Sequence, residues 1–161
     1  MDKIKVSIIT VVFNNSSTIK NAIDSVLGQT YKNIEYIVID GGSTDGTVDV
    51  IEKYSDKISI FLSEPDEGLY DGLNKGIKLA TGDIIAILHS DDVFYDKCVV
   101  SDMVDKMHVT GSEFCFSDLV IVDNKKILRY YMANYYKRWL FRIGWLPPHP
   151  TCFMKRSLFH E

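Results

Sequence analysis

No stretch of this chain is apolar for long enough to span a bilayer, which takes about 20 consecutive residues. Cysteine is scarce: Cys98, Cys115 and Cys152 lie far apart with no CxxC spacing. That odd, scattered set argues against a disulfide framework or a zinc site and fits a reducing cytoplasm. Basic charge is not in excess, with 18 Lys and Arg against 22 Asp and Glu and a formal net charge of -4. Nucleic acid is therefore not an expected partner. The N-terminus, MDKIKVSIIT, enters a strand without the apolar stretch of a signal peptide. Glycine is missing where a dinucleotide fold needs it: FNNSST follows the first strand in place of GxGxxG, and no GxxxxGK[ST] occurs. A phosphate cradle of backbone amides is thus not encoded. A receiver-type phospho-acceptor domain would also place its acid pair on the first strand, where none stands.

What the sequence does contain is a regular alternation. Its 161 residues, 46% of them hydrophobic, suit one domain with a sizeable core. Val6 to Phe13 is a β-branched apolar run that predicts a buried parallel strand. Asn14-Asn15 makes a turn, Ser16 or Ser17 is placed to cap a helix, and Ile19, Ala22, Ile23, Val26 and Leu27 recur at helical spacing. Ile34 to Asp40 predicts a second strand, Val48, Ile51 and Tyr54 a short helix, and Ile58 to Ser63 a third strand. Leu69, Leu73, Ile77 and Ala80 mark a third helix, and Val100, Met103, Val104 and Met107 a fourth. Phe114 to Phe116 and Leu119 to Val122 read as short strands, with Asp123 to Lys126 turning into a further strand, Ile127 to Tyr131. Strands alternating with helices predict an α/β, doubly wound, mostly parallel sheet with helices on both faces.

The stretch TGDIIAILHSDD, Thr81 to Asp92, concentrates the chemistry. Gly82 is expected to end the preceding helix in the left-handed conformation. Ile84 to Leu88 reads as a strand buried on both faces, with His89, Ser90, Asp91 and Asp92 at its carboxyl end. Ligands bind at that edge in open α/β sheets. Two adjacent carboxylates repel, so a hard cation such as Mg or Mn is one reason to keep them together. A helix cap or a closed turn is the other. The four strand exits would bring Phe13-Asn14, Asp40, Asp66 and Asp91-Asp92 to one edge of the sheet.

VSIITVVFNN, VIDGGSTDGT, SEPDEGLYDGLNKGIKLATGD and LHSDD, in this order and spacing, resemble family 2 glycosyltransferases with the GT-A fold. The resemblance is in particular to the branch that assembles bacterial O-antigen, capsule and exopolysaccharide sugars. PHPTCFMKRSLF is similar to that family's segment under the acceptor site, so the resemblance covers essentially the whole chain. It implies an inverting, metal-assisted transfer from a nucleotide sugar, UDP-linked by expectation, to a saccharide or lipid-linked acceptor. It also implies that Val11, Phe13 and Asp40 line a pocket for base and ribose, and that Asp66, Gly68, Asn74 and Lys75 lie along the nucleotide cleft. HSDD takes the place of the DXD motif, with Asp91 or Asp92 holding Mn or Mg against the diphosphate and His149 facing it. The expected location is the cytoplasm, at the inner face of the bacterial plasma membrane. The alternative is a nucleotide-binding or regulatory module that keeps the fold without the chemistry.

Three positions depart from the family pattern. Asp40-Gly41-Gly42-Ser43 stands where Asp-Asp-Gly-Ser is common, and His89 replaces the first acid of the DXD motif. The family's catalytic base lies downstream of Glu161, so the chain reads as a single nucleotide-sugar-binding domain truncated at its C-terminus. An apolar surface covered by self-association, giving a homodimer, is then expected. Arg129 to Trp145, RYYMANYYKRWLFRIGW, interleaves aromatic and basic residues. That composition suits either a membrane interface or a flap packed on the domain. His149 sits between Pro148 and Pro150 in an extended segment.

Overall fold

A computed structural model describes residues 4–123, 126–133, 136–144 and 146–159, with the side chains of Arg138 and Phe141 outside the description. Seven residues of β1 (Val6–Val12) are all buried. That follows from a β-branched run with helices on both sides, since such a strand has no solvent face on which to place polar residues. The elements after it are α1 (Ile19–Leu27), β2 (Ile34–Asp40), α2 (Thr47–Glu52), β3 (Ile60–Ser63), α3 (Leu69–Leu79), β4 (Ile84–Ile87) and α4 (Val99–Thr110). Then come β5 (Phe114–Cys115), β6 (Leu119–Asp123), β7 (Lys126–Tyr131) and β8 (Phe153–Lys155), with 3-10 turns at Arg138–Ile143, His149–Thr151 and Arg156–Phe159.

The main sheet has the order β3-β2-β1-β4-β8-β5. β1 pairs in parallel with β2 and β4, and β2 with β3. The chain therefore runs outward from β1 to β3 and then returns to the other side of β1, which makes the gap between β1 and β4 the topological switch point. Val6, Ile8 and Val12 point into a core built with α1 and α4, while Ile9 and Val11 point into a second core under α3. This is the mostly parallel, doubly covered sheet expected from the alternation. β6 and β7 form a separate two-stranded ribbon, bulged between Ile121 and Val122.

Several local expectations are corrected. No strand is expected at Phe153–Lys155, whose three residues are too few to show a period, yet β8 runs antiparallel between β4 and β5. Phe153 is nevertheless 1% exposed. Thr18, not Ser16 or Ser17, takes the N-cap position of α1, and the Ser16 amide instead donates to Asp45 Oδ2 at 3.0 Å. α3 ends at Leu79 with an extended Ala80, and Gly82 is not among the left-handed glycines. It is required for closeness instead: a Cβ there would lie 2.6 Å from Ser7 Oγ and 2.7 Å from the Ser7 nitrogen. The expected turn at Asp123 to Lys126 includes Asn124 and Lys125, which lie outside the described residues, as do Trp145 and Glu161.

Candidate active site

The loops leaving β1, β2 and β4 are sewn together by short polar side chains. Asn14 occupies the left-handed region at φ 46°, which asparagine tolerates better than most residues. Its side-chain oxygen accepts the Thr44 amide at 2.8 Å, and its own amide donates to Ser43 Oγ at 2.7 Å. The Asn15 amide donates to Thr47 Oγ1 (2.9 Å), and Asn15 Nδ2 donates to Ser90 Oγ (3.0 Å). Thr18 Oγ1 donates to the Ser90 carbonyl at 2.8 Å. Asp45 anchors the other side, and the hydroxyl of Thr47 and then the Ser16 amide hold its carboxyl at about 2. FNNSST is thus a scaffold for its neighbours, and the amides of Asn14, Asn15 and Ser16 are already used. This stitching was not visible in the sequence, although a cluster of Asn, Ser, Thr and Asp in three loops is the signal for it.

Above these loops opens a cleft of about 770 Å³ at the carboxyl ends of β1, β2 and β4. Of the residues singled out from sequence, it brings together Val11, Phe13, Asp66, Gly68, His89 and Asp91, with Gly41, Gly42 and Leu69 among the others in its wall. Phe13 is 63% exposed and Leu69 45%, so the rim presents exposed apolar surface. Asp40 lies just beneath, fully buried. Its Oδ2 accepts from the amides of Gly42 (3.1 Å) and Ser43 (3.0 Å) and from Ser63 Oγ (2.7 Å). Its Oδ1 is buried and has no partner among the described residues, which is costly for a carboxylate oxygen.

Asp66 is held by glycines. Its Oδ1 accepts the Gly68 amide at 2.9 Å, and its Oδ2 lies only 2.8 Å from where a Cβ on Gly41 would sit and 3.2 Å from one on Gly72. Any side chain at those two positions would displace it. Asn74 and Lys75 do not reach the cleft wall. Lys75 instead ties the Glu64–Gly68 loop to α3, pairing with Glu64 at 2.9 Å and Asp71 at 3.2 Å. Those pairs, Glu64 first, hold its ammonium above the usual lysine range.

At the β4 end His89 and His149 meet Nε2 to Nε2 at 2.9 Å, so one ring donates and the other accepts. Burial, and then the second imidazole, lowers the His89 pKa. Asp91 is exposed on the cleft wall, whereas Asp92 is half-buried and its amide donates to the His89 carbonyl at 3.1 Å. Burial, and then Asp91, raises the Asp92 pKa. Among the described residues no three His, Cys, Asp or Glu side chains converge as a ready-made metal cage. The donors here, one exposed carboxylate with imidazoles beside it, fit Mn or Mg in another way. Such ions are commonly held by one or two carboxylates and completed by substrate phosphates.

The sequence matches the description "Glycosyl transferase family 2" over residues 7–160. The chain belongs to this family. It is 40% identical over 107 residues to an uncharacterized glycosyltransferase of Mycobacterium tuberculosis, a match covering 66% of this chain and 41% of that protein. It is 30% identical over 159 residues to a PGL/p-HBAD biosynthesis glycosyltransferase of Mycobacterium bovis, covering 95% and 60%. The chain therefore spans between 41% and 60% of the length of these two relatives. Among solved structures it resembles S. aureus TarS 1-349 in complex with UDP-GlcNAc, with TM-score 0.78, 21% identity, and 97% and 46% of the two chains covered. It also resembles the mannosyltransferase PcManGT from Pyrobaculum calidifontis in complex with GDP-Man and Mn2+, with TM-score 0.70, 19% identity, and 98% and 46% covered. These likenesses establish the GT-A fold. As a family 2 glycosyltransferase chain, it places its cleft at the switch point where open α/β folds bind ligands.

Proposed function

We propose that the cleft binds a nucleotide diphosphate sugar, UDP-linked, and that the protein transfers the sugar with inversion to a saccharide or lipid-linked acceptor in bacterial surface polysaccharide synthesis. The observation that carries this reading is Asp40 Oδ1, a buried carboxylate oxygen with no partner among the described residues, next in sequence to Gly41 and Gly42 in the wall of a cleft with apolar rims. The imide N–H of uracil is a donor of the kind that oxygen needs, and Phe13 offers the base a surface to lie on. Two printed descriptions support the reading from outside the chain: a relative acts in PGL/p-HBAD biosynthesis, and fold neighbours are complexed with UDP-GlcNAc or with GDP-Man and Mn2+.

In this reading Asp66, fixed between Gly41 and Gly72, orients the ribose, and Gly68 lets the backbone pass close to the nucleotide. Asp91, with Asp92 behind it, would hold a divalent metal, Mn or Mg, whose contribution there would be charge neutralisation for a diphosphate leaving group. The His89–His149 pair closes the diphosphate end of the cleft. The base that deprotonates the acceptor is assigned to no residue of the cleft, because Asp40, Asp66 and Asp91 all stand on the donor side. Donor binding and transfer are therefore separable properties, and a module that binds nucleotide without transferring sugar is the second reading.

Calorimetric titration with UDP, with and without MnCl2, tests the proposal. UDP should bind, and Asp91→Asn with Asp92→Asn should remove the metal-dependent part of the affinity while the fold is kept. Absence of UDP binding in both conditions overturns it.

A further inference from the structure

The ten exposed large hydrophobics between Ile121 and Leu146 are more than half of the 17 in the described residues, and they do not belong to the donor cleft. They stand on the β6–β7 ribbon and on the 3-10 turn Arg138–Ile143 with its continuation. Leu128, 60% exposed, sits in the ribbon's bulge, Tyr130 is 64% exposed in β7, and Trp139 is 56% and Ile143 70% exposed in the turn. The two pieces are tied together: Tyr131 OH at the end of β7 donates to the Leu146 carbonyl at 3.3 Å, and Phe116, just ahead of β6, packs edge-on against Tyr136 with ring centroids 5.5 Å apart.

Charge is segregated onto the same surface. From Lys126 to Gly144 the sequence holds five Lys or Arg and no Asp or Glu, in a chain whose net charge is -4. Lys126, Arg129 and Arg142 are exposed within it. No ion pair among the described residues involves Arg129 or Arg142. Exposed Trp, Tyr and long aliphatic side chains interleaved with unpaired basic groups match the boundary of an anionic bilayer, where rings sit at headgroup depth and each basic residue gains from the surface potential. A second copy is a poorer occupant, because a two-fold contact through this face would set its basic groups against each other.

We propose that the β6–β7 ribbon and the Arg138–Ile143 turn dock this protein on an anionic lipid surface. The face is fastened to the cleft: Thr151 Oγ1 donates to the Ser117 carbonyl (3.0 Å) at the base of the ribbon, and Thr151 follows His149, which touches His89. Docking therefore presents the diphosphate end of the cleft to the membrane, where a lipid-linked acceptor would arrive. Only that last step rests on the proposed function. Lipid binding and UDP binding are measured separately, so one can fail without the other.

The test is co-sedimentation of the chain with vesicles of phosphatidylcholine, with and without phosphatidylglycerol, at low and high salt. The protein should pellet with phosphatidylglycerol vesicles at low salt and be released by high salt. Arg129→Gln with Arg142→Gln should weaken partitioning by on the order of tenfold. Leu128→Ser, Tyr130→Ser and Trp139→Ser together should weaken it at both salt concentrations, with circular dichroism unchanged. Protein remaining in the supernatant with phosphatidylglycerol at low salt overturns the proposal. So does pelleting that neither set of substitutions reduces, or a lipid-independent dimer in analytical ultracentrifugation that the same substitutions dissociate.

Discussion

Two residues set the terms of the donor site. Asp40 uses one carboxylate oxygen to accept three hydrogen bonds and leaves the other buried without a partner among the described residues. Asp40→Asn keeps the shape and turns that position into a donor facing a donor. UDP affinity should fall at least tenfold, in line with about 1.5–3 kcal/mol for a hydrogen bond to a charged group. Urea unfolding should move little, and an unchanged calorimetric Kd would contradict the assignment. Gly72 is the second. A Cβ there would approach Val11 Cγ1 to 2.6 Å and Asp66 Oδ2 to 3.2 Å, so Gly72→Ala should weaken UDP binding through the displaced Asp66 even though alanine favours the helix.

At the scale of elements, α3 lies on β1 through Gly72 and Gly76, one helical turn apart. A Cβ on Gly76 would come within 2.5 Å of Ile9 Cγ2. Gly76→Ala should therefore destabilise by about 1–2 kcal/mol, overpacking of about 1–3 kcal/mol outweighing the helix propensity gained. Chemical denaturation measures it. The apolar residues of α3 predicted the helix correctly, whereas the two glycines that let it approach the sheet were overlooked, although their i, i+4 spacing was there to read. A second device ties the amino ends of the strands. Glu35 accepts Lys5 Nζ at 2.7 Å and the Thr81 amide and hydroxyl at 2.8 and 2.6 Å, and Ser7 also donates to it. Burial alone would raise its pKa, but these donors, Lys5 and Ser7 foremost, hold it at about 2 against the usual 4.5. A carboxyl lowered on folding stabilises above its unfolded pKa. On the order of 2 kcal/mol should thus be lost as pH falls from about 4.5 to about 2. Glu35→Gln should flatten that part of the stability profile. A lone Glu in a strand pattern gave no hint of this, because its partners come from two distant segments, Lys5 with Ser7 and Thr81.

At the scale of the molecule, the alternation of apolar strands with striped helices was enough to place the sheet, its strand exits and the cleft. What it could not place was set by contacts between distant residues: β8 inserted at Phe153, the Asn14 and Asn15 stitching, and Gly82 pressed against Ser7. The same body carries a second cleft of about 610 Å³ at the opposite edge of the sheet, lined by Asp83, His108, Gly111, Ser112, Lys155 and Arg156 among others. The central claim is that the nucleotide binds at the carboxyl edge. Amide chemical-shift mapping of the isotopically labelled chain, titrated with UDP and Mg, separates the two places. The account predicts shifts at Gly41, Gly42, Gly68 and Asp91, with Gly111 and Ser112 unmoved. Shifts confined to Gly111, Ser112 and their neighbours, or none at all at saturating UDP, would contradict it.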